Sequence, residues 1–242
     1  MTALDELATT PFHDADAPLR ARMLSRLADT ELFVALVREP HDDRVELQLF
    51  PLDGVSVALA CDAEDRLAGF FGAPVAYAAM PGRALAALLR TEGAGLLVNP
   101  GAASEMLLDA GMLDWLTGAL AAEPQPDEAR LRLTGPHPDT VAALAEPLGA
   151  RLLDMHALIS GAALAGIAGG GHVLLIAGAA ADRQPAIAKA LAEALAFLPP
   201  QSGGVDISFS DAPPPATALR FDLTPPQAEP PAPRPKGPPI LR

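Results

Sequence analysis

Hydrophobic and polar positions change period several times along this chain, most clearly between residues 75 and 101. Residues 75–79 form an apolar run suited to a strand, and Met80-Pro81-Gly82 then turns the chain. Pro81 is pre-set for a first helical position, where the missing N–H has no partner to lose. Leu85, Leu88 and Leu89 follow at i, i+3 and i+4, with Arg83 and Arg90 off that stripe and Gly93 as a left-handed stop, which predicts a helix. Gly95–Val98 is continuously apolar, as in a strand buried on both faces. Asn99-Pro100-Gly101 closes it, the proline predicting an extended Asn99 and Gly101 supplying the positive φ of a type II turn. Together these pieces predict a right-handed strand-helix-strand crossover.

The same reading gives a short helix and a loop over residues 1–16, then a helix capped by Asp16 with Pro18 in its first turn. Strands are predicted at 31–39 and 45–52 around a polar turn, His41-Asp42-Asp43, and Asp53-Gly54 leads into a strand at 55–61. Asp62 is placed to cap a helix that turns Leu67, Phe70 and Phe71 inward before Gly72 stops it. Residues 104–109 fit neither period, and a helix over 112–121 buries Leu113, Trp115, Leu116 and Leu120. Residues 123–127, EPQPD, mark an internal boundary.

Beyond that boundary the pattern predicts a strand at 129–134, a helix at 139–147, a strand at 152–164, a turn at Gly169-Gly170-Gly171, a strand at 172–177, a helix at 182–197 capped by Asp182, and a strand at 205–209. That β-α-β-β-α-β succession is the ferredoxin-like one. Residues 219–223 add an edge strand. Eight of the nineteen residues from 224 to 242 are proline, so no core forms there and an unstructured, polyproline-like tail is expected. The expected class is α+β: a mixed-sheet N-terminal domain over 1–122 with its core from residue 28, a ferredoxin-like C-terminal domain over 128–223, and the tail.

Composition acts mainly by exclusion. Half of the 242 residues are apolar, enough to build one large or two ordinary domains. The formal net charge of -13 repels phosphate backbones and argues against nucleic acid as a partner. Cys61 is the only cysteine, and the first ten residues lack the basic-then-apolar pattern of a secretory signal, so a cytoplasmic protein is expected. Residues 155–181 carry no Asp, Glu, Lys or Arg and are long enough to cross a bilayer. Their six glycines read better as two strands joined by a turn, and no membrane association is expected.

Candidate chemistry is sparse. Histidines at 13, 41, 137, 156 and 172 show no i, i+4 pair, and with one cysteine no metal site is expected. The glycines of 166–171 match neither phosphate-binding motif and precede a strand, so no cofactor is expected. Cys61 precedes a helix whose dipole would lower a thiol pKa, but Asp62 and Glu64 oppose this, and it reads as a small buried residue. His137, between two prolines, reads as a solvent-facing loop residue, and Tyr77 and Trp115 as core fillers. No catalytic residue is assigned. Ligands of open α/β sheets collect beyond strand carboxyl ends, which selects Asn99, Gly101 and Arg83, with Glu64 on the neighbouring helix, as a binding set for a carboxylate. The plainer reading is that Asn99 braces its own turn. The tail holds two P-x-x-P matches, starting at Pro230 and Pro235, beside Arg234 and Lys236, a composition that docks into aromatic grooves.

Several stretches, ELFVAL, the strand ending Cys61-Asp62 before Ala63-Glu64-Asp65-Arg66-Leu67, Pro81-Gly82-Arg83-Ala84-Leu85, and above all Gly95-Leu96-Leu97-Val98-Asn99-Pro100-Gly101, resemble the SseB family. This is the bacterial enhanced serine sensitivity type, not the secretion translocator that shares the label. The resemblance covers residues 28 to 122 well, and the second half is similar in layout to the family's C-terminal domain. It implies a fold and a link to amino-acid homeostasis, with no activity attached. The expected function is therefore non-catalytic binding of a partner protein or a small metabolite. Two alternatives stand beside it: an enzyme whose inter-domain site unites His137 and Cys61, and a scaffold or homodimer that self-associates through the exposed sheet of the second domain.

Overall fold

The computed structural model describes residues 1–39, 45–52, 54–127 and 131–225. The polar turn predicted at His41-Asp42-Asp43, Asp53 of the predicted hairpin, the start of the predicted strand 129–134 and the tail from residue 226 lie outside the described residues.

The first half runs α1 (Ala3–Leu7), α2 (Ala17–Asp29), β1 (Glu31–Ala35), β2 (Leu49–Leu52), β3 (Val55–Cys61), α3 (Glu64–Phe71), β4 (Tyr77–Pro81), α4 (Gly82–Glu92), β5 (Gly95–Val98), β6 (Met106–Leu108) and α5 (Ala110–Leu120). Its sheet has the order β4-β1-β3-β5-β6, with β2 paired to the start of β3. Only β3 and β5 are parallel neighbours, so the sheet is mixed. The expected crossover β4-α4-β5 is present, but β1 and β3 lie between its two strands. Asp16 caps α2 by accepting the Leu19 N–H at 2.9 Å, and Gly72 and Gly93 end α3 and α4 in the left-handed region.

Period-two alternation sorts the strand residues between two helical layers. Leu32, Val34, Ala58, Ala60, Leu96 and Val98 pack with residues of α2, α4 and α5, whereas Phe33, Ala35, Leu59, Cys61 and Leu97 gather around Leu67 of α3. Two expected core residues are on the surface instead. Phe70 and Trp115 are 52% and 47% exposed, because the stripes of their helices are already filled by Leu67 and by Leu113 with Leu116.

The second half comprises β7 (Leu133–Thr134), α6 (Pro138–Asp154), β8 (Gly161–Ile167), β9 (His172–Ala177), α7 (Gln184–Ala196), β10 (Val205–Phe209) and β11 (Leu219–Arg220). The succession of elements is the expected one, but the pairing is not ferredoxin-like. A ferredoxin-like sheet interleaves two β-α-β units, keeping the strands of each parallel and apart. Here the order is β10-β9-β8-β11, with β7 also on β8. β9 and β10 are direct parallel neighbours, and β7 runs antiparallel to β8. Gly166 permits that pairing, since a Cβ there would lie 2.5 Å from the Gly135 carbonyl oxygen.

Helix α6 also runs past its predicted end, through Pro147 to Asp154. Proline removes one helical hydrogen bond, but Leu144, Leu148 and Leu152 continue the buried stripe on either side of it. The chain from 155 to 181 forms the β8-β9 hairpin, turning through three glycines at positive φ, and among the described residues no helix is long and apolar enough to cross a membrane. Asp182 does not cap α7; Arg183 takes the cap position without a side-chain bond. Ala163, Ala165 and Val173, alternate to the residues facing α6 and α7, are buried too.

Gly82 sets the packing of α4 on α2. Its N–H donates to the Thr30 carbonyl at 2.8 Å, and an added Cβ would overlap the Leu27 carbonyl oxygen. Gly82→Ala should therefore lower stability in urea unfolding by about 3 kcal/mol. Gly69→Ala, where a Cβ meets nothing within 4 Å, should instead raise it by roughly 0.5–1 kcal/mol.

Candidate functional site

The carboxyl ends of the parallel strands β3 and β5 meet at Asp62 and Asn99. Asn99 is fully buried and sits in the left-handed region at φ 48°, where it is the only such non-glycine among the described residues, rather than in the extended conformation expected before Pro100. Its own bonds hold it there. The Asp62 N–H donates to Asn99 Oδ1 at 3.0 Å, Asn99 Nδ2 donates to Ser104 Oγ at 3.0 Å, and the Asn99 N–H donates to the Ala60 carbonyl at 3.0 Å. Ser104 Oγ then donates to Asp5 Oδ1 at 2.5 Å.

Asp5 comes from α1, whose Leu4 is buried in the core, so the N-terminal segment closes the strand ends. Arg66 completes the closure, donating from Nη2 to Asp5 Oδ2 at 2.8 Å and from Nη1 to Asp62 Oδ1 at 3.1 Å. Thr2 Oγ1 caps the second Asp62 oxygen at 2.6 Å. The Arg66 guanidinium holds the Asp5 carboxyl far below the usual carboxylate range, and Asp5 in turn raises Arg66 above its ordinary value. A carboxylate is thus bound where the sequence reading expects one, but it belongs to the chain itself, and its arginine is Arg66.

The four residues of the expected binding set are dispersed. Asn99 and Gly101 share one turn, where the Gly101 N–H donates to Glu105 Oε2 at 2.6 Å. Glu64 lies in the first turn of α3, and its carboxylate beside the Tyr77 hydroxyl raises that phenol above its ordinary pKa. Arg83 is elsewhere, at the junction of the two halves. The enzyme alternative fares similarly. Cys61 is fully buried, its thiol pushed up to about 11 by burial, while His137 caps α6 and is 65% exposed. The His137 N–H donates to Nε2 of buried His172 at 3.1 Å. His172 is held below its ordinary value by burial, then by the nearby His137. Sequence reasoning missed Asp5, Arg66 and Ser104. The Asp62–Arg66 spacing of i, i+4 was the one available signal, because Asp5 lies far away in the chain.

The junction between the halves is built from charge. Asp29 of α2 pairs with Arg83 of α4 and, at 3.1 Å, with Arg151 of α6. Glu193 of α7, only 5% exposed, receives Arg83 at 3.2 Å and Lys189 at 3.3 Å. Arg22 with Glu146, and Arg26 with Asp154 at 3.3 Å, extend the lattice along α2 and α6.

Beside that lattice runs an apolar groove of about 710 Å³, lined among others by Phe12, Leu24, Met112, Trp115, Phe197 and Pro199. Trp115 meets Phe197 edge-on, with ring centroids 5.5 Å apart. The charged residues lining it are Arg20 and Asp109. Asp109 caps α5 through the Met112 N–H, and Arg20 donates from Nη2 to the Ala15 carbonyl at 2.9 Å, while its buried Nε has no acceptor among the described residues. Among the described residues, no three His, Cys, Asp or Glu side chains are arranged to hold a metal ion. Among the described residues the groove offers apolar surface, and no nucleophile or paired acid and base lines it.

Asp5→Asn should cost on the order of 2–3 kcal/mol at neutral pH, since it removes the carboxylate that pairs with Arg66 and accepts the Ser104 hydroxyl. Because Asp5 is depressed in the folded state, its stabilisation is complete above the ordinary carboxylate pKa of about 3.9 and is lost as pH falls below it. Urea midpoints of the two proteins should therefore differ at pH 7 and converge toward pH 2.

Residues 4–115 match the family model described as the SseB protein N-terminal domain. Neither the curated proteins nor the solved structures contain a match to the chain. The matched span begins at Leu4 in α1, includes the Asp5–Arg66–Asn99 closure, and ends at Trp115 in the groove. Over residues 4–115 the chain therefore carries an SseB protein N-terminal domain.

Proposed function

We propose that the protein acts by binding, without catalysis, and that the groove between its halves takes an extended apolar segment of a polypeptide partner in the bacterial cytoplasm. The observation that carries this reading is Trp115, 47% exposed on the wall of a groove of about 710 Å³. That volume lies within the range of ligand sites, roughly 300–1,000 Å³. Tryptophan, phenylalanine, methionine and arginine are the side chains that anchor protein interfaces, and all four line it. The strand-end position around Asn99, which would suit a small carboxylate, is filled by Asp5.

A free amino acid is the second reading. The family name links it to serine, and Arg20 and Asp109 on the groove offer one charge of each sign for a zwitterion. Both residues already hold backbone groups, which favours the polypeptide.

Trp115 is the only tryptophan, so intrinsic fluorescence reports the groove directly. Titration with a proline decamer should shift its emission to the blue, while L-serine at millimolar concentration should leave it unchanged. In calorimetry, Trp115→Ala should weaken the decamer at least about tenfold. A response to serine alone would transfer the site to the metabolite reading, and no response to either would end the groove reading.

A further inference from the structure

We propose that two imidazoles, those of His137 and His172, latch the start of helix α6 to the second sheet, and that mild acid releases the turn at residues 135–138 while both sheets stay folded. The latch lies apart from the groove, none of whose lining residues belongs to it.

The first observation is where the backbone donors go. Pro136 and Pro138 have no N–H, so between Gly135 and Thr140 the donors are those of His137 and Asp139. Both end on ring nitrogens. The His137 N–H donates to Nε2 of His172 at 3.1 Å, and the Asp139 N–H donates to Nδ1 of His137 at 3.3 Å. An imidazole nitrogen accepts only while it carries no proton, so each bond requires a neutral ring. The same geometry assigns the tautomer of His172. With Nε2 accepting, its proton sits on Nδ1, which is buried and has no partner among the described residues.

The second observation is position, which makes His172 the sensitive member of the pair. It is 6% exposed, opens β9, and stands opposite Gly166 of β8, against which the Gly135 carbonyl is seated. Turn and ring therefore meet at one spot. A proton on Nε2 would set one donor against another there, and the positive end of α6 adds to the cost. His137 has an alternative partner, because its Nδ1 lies 3.6 Å from Asp139 Oδ2 and can donate to that carboxylate when charged.

His172 has no such alternative. Of the elements packed around it, β8 bears no charge and β10 bears Asp206. Lys189 and Glu193 of α7 pair with each other, and Glu193 also with Arg83. Helix α6 has Asp139 beside His137 at its start, and its Glu146, Arg151 and Asp154 pair with residues of α2. The charge that acts on His172 is that of His137, which adds to burial in holding the ring below its ordinary value of 6.5. The folded ring thus takes up a proton less readily than the unfolded chain. The latch is complete above about pH 6.5 and is lost as pH falls through the lower, folded value.

Two measurements on the full chain test this. Nitrogen-15 NMR of the His172 ring at neutral pH should show a protonated Nδ1 and a bare Nε2, with a titration midpoint below 6.5. Hydrogen exchange, corrected for the intrinsic effect of pH, should show the His137 and Asp139 amides losing at least about tenfold in protection between about pH 7.5 and pH 5, as for one lost cap bond, while amides of β3 and β8 keep theirs. His172→Gln, which supplies an acceptor that does not titrate, should abolish that loss. A ring protonated on Nε2 at neutral pH would overturn the proposal, as would unchanged protection at the start of α6 or a loss spread evenly through both sheets. A loss that persists in His172→Gln would remove His172 from the latch. If that variant does not fold, the ring spectrum and the exchange of the unsubstituted chain still decide.

Discussion

A half-buried guanidinium holding two carboxylates fixes the end of the first sheet at which an open α/β fold would ordinarily be open. Arg66 spans Asp5 and Asp62, and through Ser104 and Asn99 the same network reaches the backbone of both parallel strands. Such an arrangement is stable only if every member is satisfied, because an unpaired charge in this setting costs more than the pair contributes. Each member is satisfied here by residues of α1, α3 and the turn after β5. The N-terminal segment, read from the sequence as peripheral, is therefore part of the core. The two halves are then locked by a second lattice on Asp29 and Glu193, which uses arginine for its forked donors.

Closing the strand ends shifts the opportunity for binding elsewhere. Helices α2 and α5, packed with α4 on one face of the sheet, leave an apolar flank that α7 only partly covers, and Trp115 stands on that flank against Phe197. The groove is thus a by-product of how the halves meet, and its makeup of aromatic and proline side chains suits recognition by shape.

Much of the first half was legible because its signals are local. Asp16, Gly72 and Gly93 mark helix ends by backbone chemistry alone, and the alternation in β3 and β5 follows from a sheet covered on both faces. The misreadings share a cause, since each depended on a neighbour remote in the chain. Pro147 was read as a helix end because the contacts that carry α6 through it lie in the second sheet. Trp115 was read as core because helical spacing shows a stripe but not its width. The strand order of the second half was missed because periodicity specifies elements, not the edges on which they pair. Within the candidate site, Asn99 was visible as a special turn residue, but its partners Asp5 and Ser104 were not, and Arg83, chosen as an arginine suited to a carboxylate, pairs instead with Asp29 and Glu193.

The left-handed asparagine has a further consequence for chemical ageing. Asparagine converts to aspartate chiefly when the following backbone nitrogen attacks the side-chain amide, and the residue after Asn99 is a proline, whose nitrogen carries no hydrogen. That route is closed. Conversion would place a third anion beside Asp5 and Asp62 with one guanidinium to serve them, so the Asn-Pro pair preserves, over the lifetime of the molecule, the charge balance on which its first sheet is closed.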